Sequence, residues 1–171
     1  MDQQNGVGQP LDGYRPCVGL VVFNPDGFVF LGRRKGGEES VAQGFAWQMP
    51  QGGMDEGENA QEAAVRELWE ETGMRTVTLL AEAPLWWSYD LPEELCRSAW
   101  KGRYRGQTQK WFAFRFEGDE SEIDIGPRDG HPQEFTEWRW ERLDRTPDLV
   151  IPFKRDVYRQ VVATFDRFAA L

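Results

Sequence analysis

The 171 residues carry 40% hydrophobic side chains, with 8 Trp and 11 Phe, which is enough to fill the core of one domain and excludes an intrinsically disordered chain. A formal charge of -9 argues against a protein that holds nucleic acid by bulk electrostatics. No apolar run approaches the roughly 20 residues of a membrane span, two cysteines (Cys17 and Cys96) are too few for a disulfide scaffold, and the polar start MDQQNGVGQPLDG lacks the basic-then-apolar pattern of a secretion signal, so a cytoplasmic location is expected.

In chain order, residues 1–13 read as a flexible arm and 14–171 as one domain. CVGLVVF (17–23) is a β-branched apolar run, expected as a buried strand; NPDG (24–27) is a type I turn; FVFLG (28–32) returns as the second arm of a hairpin. KGGEES is loop, and WQMPQGG (47–53) reads as a strand ending in a glycine loop. Residues 59–72 are rich in Ala, Glu, Leu and Gln without internal Gly or Pro, which predicts a helix stopped by Gly73. Strands are expected at 76–83, 85–91, 109–116 and 134–143, with a short helical turn at 92–100, a basic loop KGRYRG and a polar loop at 117–133. PFKRDVYRQVVATFDRF (152–168) predicts a C-terminal helix with Pro152 in its first turn and Val157, Val161, Phe165 and Phe168 facing the core. Strands separated by two main helices predict an α/β fold, a mixed β-sheet between helices.

The 59–72 helix concentrates the chemistry. At about 100° per residue, Glu67, Glu70 and Glu71 share one sector, with the small Ala60 and Ala63 in or beside it, while Ala64, Val65, Leu68 and Trp69 suit the core. The acids are neighbours on the helix surface with no interleaved Lys, so they repel by a few tenths of a kcal/mol per pair, and Arg66 alone does not neutralise three acids. Two readings account for this: a charged solvent-facing helix, or a site for a hard divalent cation such as Mg²⁺ or Mn²⁺ that also takes phosphate. Gly52 and Gly53 would let the backbone approach a ligand. The single histidine, His131, falls in a loop, which argues against a zinc triad or a His-activated nucleophile.

The stretch Gly52 to Met74 resembles the Nudix box: Gly52, Glu58, Arg66, Glu67, Leu68, Glu70, Glu71, Gly73 and Met74 stand at each of its specified positions. YRPCVGLVVFN, WQMPQGGMDEGE, QKWFAFRF, EFTEWRW and FKRDVYRQV extend the resemblance to the RNA pyrophosphohydrolase and dinucleoside polyphosphate hydrolase branch, with Met49 where Phe is usual and Pro152 where Ser is familiar. The resemblance implies an α/β/α sandwich and metal-dependent hydrolysis of a phosphoric anhydride in a nucleoside polyphosphate, at a 5′-phosphorylated RNA end or in a dinucleoside polyphosphate. It implies Glu67, Glu70, Glu71 and the Gly52 carbonyl as ligands of Mg²⁺ or a substitute such as Mn²⁺, and Arg66 as the residue orienting a box glutamate. Glu134 becomes the candidate for a further ligand or the base. Arg15, Arg34 and Lys110 become candidate phosphate or nucleotide contacts, Phe153 a stacking surface for a base, Lys154 a hydrogen-bond donor to it, and Tyr89 a neighbour in the same cleft. Alternatives on the same fold are a nucleotide-sugar or oxidised-nucleotide pyrophosphatase and a non-catalytic RNA- or nucleotide-binding module. The basic residues are clumped: Arg97, Lys101, Arg103, Arg105 and Lys110 lie within one stretch. The acidic excess predicts that an RNA is held at its terminal phosphates and first base or two, unless that clump forms a longer groove.

Overall fold

The computed structural model describes residues 6–36 and 44–170. The KGGEES loop from 37 onward and the start of the expected arm, 1–5, lie outside the described residues. The strands are β1 (Gly6–Val7), β2 (Arg15–Phe23), β3 (Val29–Arg34), β4 (Trp47–Gln48), β5 (Gln51–Gly53), β6 (Val77–Glu82), β7 (Leu85–Asp90), β8 (Gly106–Phe116) and β9 (Phe135–Glu141). The helices are α1 (Ala60–Thr72), α2 (Glu93–Ser98), α3 (Thr146–Leu149) and α4 (Arg155–Phe165).

The sheet is mixed. β2 and β8 run parallel at its centre, in register from Arg15 opposite Gln107 to Phe23 opposite Arg115, while the other pairings are antiparallel. Both faces are covered, and the two central strands show it residue by residue. Val21 and Phe23 of β2, with Trp111 and Ala113 of β8, pack on one side with Val157, Val161 and Phe165 of α4. Val18, Leu20 and Val22, with Phe112, Phe114 and Phe116, pack on the other with Ala63, Ala64 and Leu68 of α1. Two-sided burial is why these strands are continuous apolar runs in the sequence instead of alternating ones.

The hairpin turn forms as expected, with Asn24 Oδ1 accepting from the backbone N–H groups of Asp26 and Phe28 at 3.0 Å. α1 is capped at both ends: the Asn59 side chain accepts from Glu62 N–H at 2.8 Å, and Gly73, at φ 75°, donates to Trp69 O. Residues 6–13, expected as part of a flexible arm, are tied down: Gly6 and Val7 pair with Trp86 and Leu85, and Gly13 O accepts from Arg105 N–H at 3.0 Å.

Two local expectations are corrected. Val65, assigned to the core side of α1, is 48% exposed, because the buried stripe runs through Ala63, Ala64, Leu68 and the glutamates themselves. The C-terminal helix is broken into a 3-10 turn (Pro152–Lys154), α4 and a second 3-10 turn (Asp166–Phe168). Its four apolar positions still face inward, with Phe168 meeting the Phe23 ring edge-on at 6.0 Å.

Replacing Asn59 by Ala removes the cap of α1 and costs about 1 kcal/mol. For a chain of this size that is a fall in Tm of about 2–4 °C, read by thermal melting; an unchanged Tm would show that packing alone fixes the start of α1.

Candidate active site

The cleft lies where the first turns after β5 meet α1. It encloses about 290 Å³ and is walled by Arg15, Arg34, Gly52, Glu67, Glu70, Glu71, Glu134 and Lys154, with Gln48, Gln51, Gln107 and His131 completing it. Carboxylates and cations share its lining.

The carboxylate cluster is built on a clasp. Arg66 donates through Nε and NH2 to both oxygens of Glu58 (2.8 and 2.9 Å), through NH1 to Glu67 Oε1 (2.8 Å) and Glu70 Oε2 (3.1 Å), and through NH2 to Gly53 O (2.8 Å). One guanidinium thus ties the loop before α1 to two of its glutamates, using the donor fork that only Arg offers. Its hydrogen bond holds Glu58 below the ordinary carboxylate range. Glu71 Oε2 accepts the Gln51 N–H at 3.3 Å, and Glu70 Oε1 lies 3.1 Å from His131 Nε2. At Gly52 an added Cβ would collide with the Glu67 carboxylate, so the missing side chain is what lets that carboxylate lie against the β5 backbone.

Glu67 and Glu71 are 9% and 8% exposed. Burial pushes the Glu67 carboxyl up to about 7 against the pull of Arg66. Burial also raises Glu71, with Glu67 and Glu134 adding repulsion. Two buried carboxylates that prefer a proton are short of positive charge, and their all-oxygen donor set suits a hard divalent cation. Among the described residues no three His, Cys, Asp or Glu are drawn tightly enough to cage an ion by themselves.

A β-bulge falls opposite β9 between Arg33 and Arg34; Arg34 lines the cleft while Arg33 pairs with Glu137 at 3.6 Å. Lys154 is buried, hydrogen-bonds Gln48 Oε1 at 3.2 Å, and is lowered to about 7 by burial and then by Arg34. Glu134 is an exposed part of the lining, and its carbonyl accepts from Lys35 N–H at 2.8 Å.

Three expected contacts lie elsewhere. Lys110 does not reach the cleft: Gln107 of the same strand lines it, so the side chain three residues on faces away, and its amine donates to Ala83 O and lies 3.8 Å from Glu82. Tyr89 is buried behind the wall, donating to Gln107. Phe153 is half-buried against Tyr89, ring centroids 5.7 Å apart, beside the cleft and not in its wall.

The glutamines were missed by the sequence reading. Gln109 Nε2 donates to Gln51 Oε1 at 2.9 Å and to Gln107 Oε1 at 3.2 Å, while Gln109 Oε1 accepts from Trp111 Nε1 at 3.1 Å. This buried row links the Tyr89 side of the cleft to the loop that holds Glu71. Its signal, Gln at alternate positions of one strand in GQTQKW, was legible. His131 was set aside for its loop position, which gives no hint of its contact with Glu70.

A NUDIX domain is matched over residues 13–161. The chain is 56% identical over 156 residues to an RNA pyrophosphohydrolase of Afipia carboxidovorans, covering 91% of this chain and 94% of that protein. It is 60% identical over 158 residues to an RNA pyrophosphohydrolase of Azorhizobium caulinodans, with the same coverage of 91% and 94%. In fold it resembles the C. elegans Ap4A hydrolase in its binary complex, with a TM-score of 0.61 at 17% identity over 90% of this chain and 98% of that one.

The displaced protonation equilibria predict a pH signature in chelator. Glu67 and Glu71 bind protons more tightly folded than unfolded, so their contribution to stability is full below the ordinary carboxylate range and is lost as pH rises, for Glu67 through about 7. Lys154 is depressed from 10.5 to about 7, so the unfolded chain holds its proton longer and stability recovers between those values. Thermal melts in chelator at pH 5, 7 and 9 should therefore pass through a minimum near neutrality, shallower in Glu67→Gln. A Tm that climbs steadily from pH 5 to 7 would contradict it.

Proposed function

Because the chain belongs to the NUDIX family, we propose that it is a pyrophosphohydrolase that converts 5′-tri- or diphosphorylated RNA ends to 5′-monophosphate. The observation that carries this reading is the convergence of Glu67, Glu70, Glu71 and Glu134 with Arg15 and Arg34 in the lining of one cleft. Such a cleft fits a polyphosphate laid among cations of the protein and carboxylates that bring their own. Dinucleoside polyphosphates such as diadenosine tetraphosphate present the same phosphate chain and base, and the likeness in fold to an Ap4A hydrolase keeps them as a second substrate class. The compartment this substrate implies is the cytoplasm, and no helix among the described residues is long and apolar enough to cross a membrane.

Water attacks a phosphorus of the chain, the anhydride P–O bond breaks, and the phosphate or pyrophosphate released leaves a 5′-monophosphate on the RNA. Members of the family generally need divalent cations; here Glu67, Glu70, Glu71 and the Gly52 carbonyl would hold Mg²⁺ or Mn²⁺, which lowers the pKa of water and neutralises phosphate oxygens. Arg66 keeps Glu67 and Glu70 turned into the cleft and Gly53 fixed behind them. Glu134, exposed in the lining of the cleft, is our candidate to take the proton of the attacking water. Arg15 and Arg34 offer guanidinium forks to non-bridging phosphate oxygens. Lys154 and Phe153 open the C-terminal helical segment beside the cleft, where an aromatic face and an amine suit a nucleobase.

Turnover of 5′-triphosphate RNA should vanish in excess chelator. Glu67→Gln, Glu70→Gln and Glu71→Gln should each lower kcat by at least about 10²-fold while the folded state persists; activity that survives chelation would sink the metal-dependent reading.

Phe153→Ala should lower kcat/KM for nucleotide substrates by about 5- to 150-fold, the value of one lost base stack, without changing metal affinity. A sharp fall in Tm with intact activity per folded molecule would make the ring a packing partner of Tyr89 instead.

A further inference from the structure

Between β7 and β8 the chain makes an excursion over residues 91–105 that the proposed reaction does not use. After α2 ends at Ser98, Trp100, Lys101 and Gly102 turn through the left-handed region, with φ of 48°, 59° and 69°. Bulky L-residues seldom adopt that conformation, and where they do the surrounding structure holds them for a purpose. The turn brings the Trp100 and Tyr104 rings edge-to-face at 6.0 Å, both half-buried, as the floor of a hollow of about 620 Å³ rimmed by Arg15, Lys101 and Arg103. The Arg15 guanidinium lies 5.2 Å above the Trp100 ring, and that of Arg103 lies 5.6 Å from Tyr104.

The charges around the hollow separate from the rest of the basic clump. Arg97 pairs with Glu93 at 2.9 Å, Arg105 with Asp90 at 3.1 Å and Lys110 with Glu82 at 3.8 Å. Among the described residues, no carboxylate lies within the 4.0 Å ion-pair distance of Arg15, Lys101 or Arg103. Lys101 and Arg103 are exposed and, with Arg15, form a local patch of positive charge beside two aromatic faces, a combination that suits an anion with a flat apolar part. Arg15 walls both this hollow and the catalytic cleft, so a ligand can run from one to the other without leaving the surface.

We infer that the hollow is a subsite for the RNA strand downstream of the cleaved end, with a base against Trp100 and Tyr104 and the adjoining phosphates on Lys101 and Arg103. The inference deepens the RNA reading above and rests on it. Aromatic faces with interleaved cations take single-stranded nucleic acid by stacking that every base can supply, which makes the subsite sensitive to length and tolerant of sequence. It also turns the expectation of an end-only contact into a footprint of several nucleotides, despite the acidic surface. A dinucleoside polyphosphate has no downstream strand to place there.

The test compares kcat/KM for a 5′-triphosphate dinucleotide, a 5′-triphosphate RNA of about eight nucleotides with the same first two bases, and diadenosine tetraphosphate. Wild type, Trp100→Ala and the exposed double charge reversal Lys101→Glu with Arg103→Glu are assayed. Binding of the longer RNA as its fluorescent 5′-monophosphate product is followed by anisotropy. The wild type should favour the longer RNA by about five-fold or more, and both variants should erase that advantage and weaken product binding equally. Dinucleotide and diadenosine tetraphosphate turnover should stay within about two-fold, the size of a rim-charge effect. Equal rates on both RNA lengths in the wild type, or a variant that loses all substrates alike, overturns the subsite. Absence of turnover on any RNA, with product binding still dependent on Lys101 and Arg103, would instead overturn the proposed substrate and leave the subsite standing. The charge reversal keeps the test decisive should Trp100→Ala unfold.

Discussion

The site depends on one guanidinium. Arg66 is hydrogen-bonded to Glu58, Glu67, Glu70 and the Gly53 carbonyl, and so converts four separate positions into one rigid body. Without it, the first half of the loop and the first exposed edge of α1 would have no shared reference, and the glutamates would splay to relieve repulsion. The arrangement has a cost that points to its purpose. A buried carboxylate is stable only when its charge is met, and Arg66 is divided among too many partners to meet it for Glu67 and leaves Glu71 to a backbone N–H. A proton or a divalent cation can meet the remainder.

Around this body the sheet acts as a frame. β2 passes through the centre, β5 pairs with it so that Gly52 stands opposite Val18, and α1 packs on one face while α4 packs on the other. The Tyr158 hydroxyl of α4 accepts from Met49 N–H at 2.8 Å, so the helix on the far face also holds the chain just before Gln51. Cations reach the cleft from β2, β3 and the start of the C-terminal helical segment, three elements that only the closed sheet brings together.

Much of this was legible in residue order. Local signals carried the hairpin, the stop of α1 at Gly73 and the run from Gly52 to Met74, because each depends on neighbours in sequence. The burial of α1 was misread at Val65, which is exposed, and at Trp69, which is half-buried under Arg75 and Arg128 and outside both core clusters, because 100° periodicity ranks faces by hydrophobicity and the true inner stripe includes two glutamates. Lys110 was misplaced because a strand shows charge in sequence without showing which face points to the cleft. His131, the Gln51 to Gln109 link and the Arg15 bridge between two hollows depend on contacts across 50 or more positions that no local pattern encodes, whereas the alternation of Gln107 and Gln109 along β8 is itself local.

The parallel pairing of β2 with β8 has a consequence for the order in which the molecule is made. Arg15 lies opposite Gln107, so the strand that carries the first cationic group acquires its central neighbour only after most of the chain has been synthesised. The entire acidic box, from Gly52 to Met74, emerges earlier, at a stage when it has no Gln107, no Glu134 and no Lys154 facing it. Closing so long a loop is entropically slow. A ribosome-bound fragment ending before β8 would therefore carry every motif residue and no cleft, and the nascent enzyme would be unable to act on RNA ends in its own vicinity until its synthesis was nearly complete.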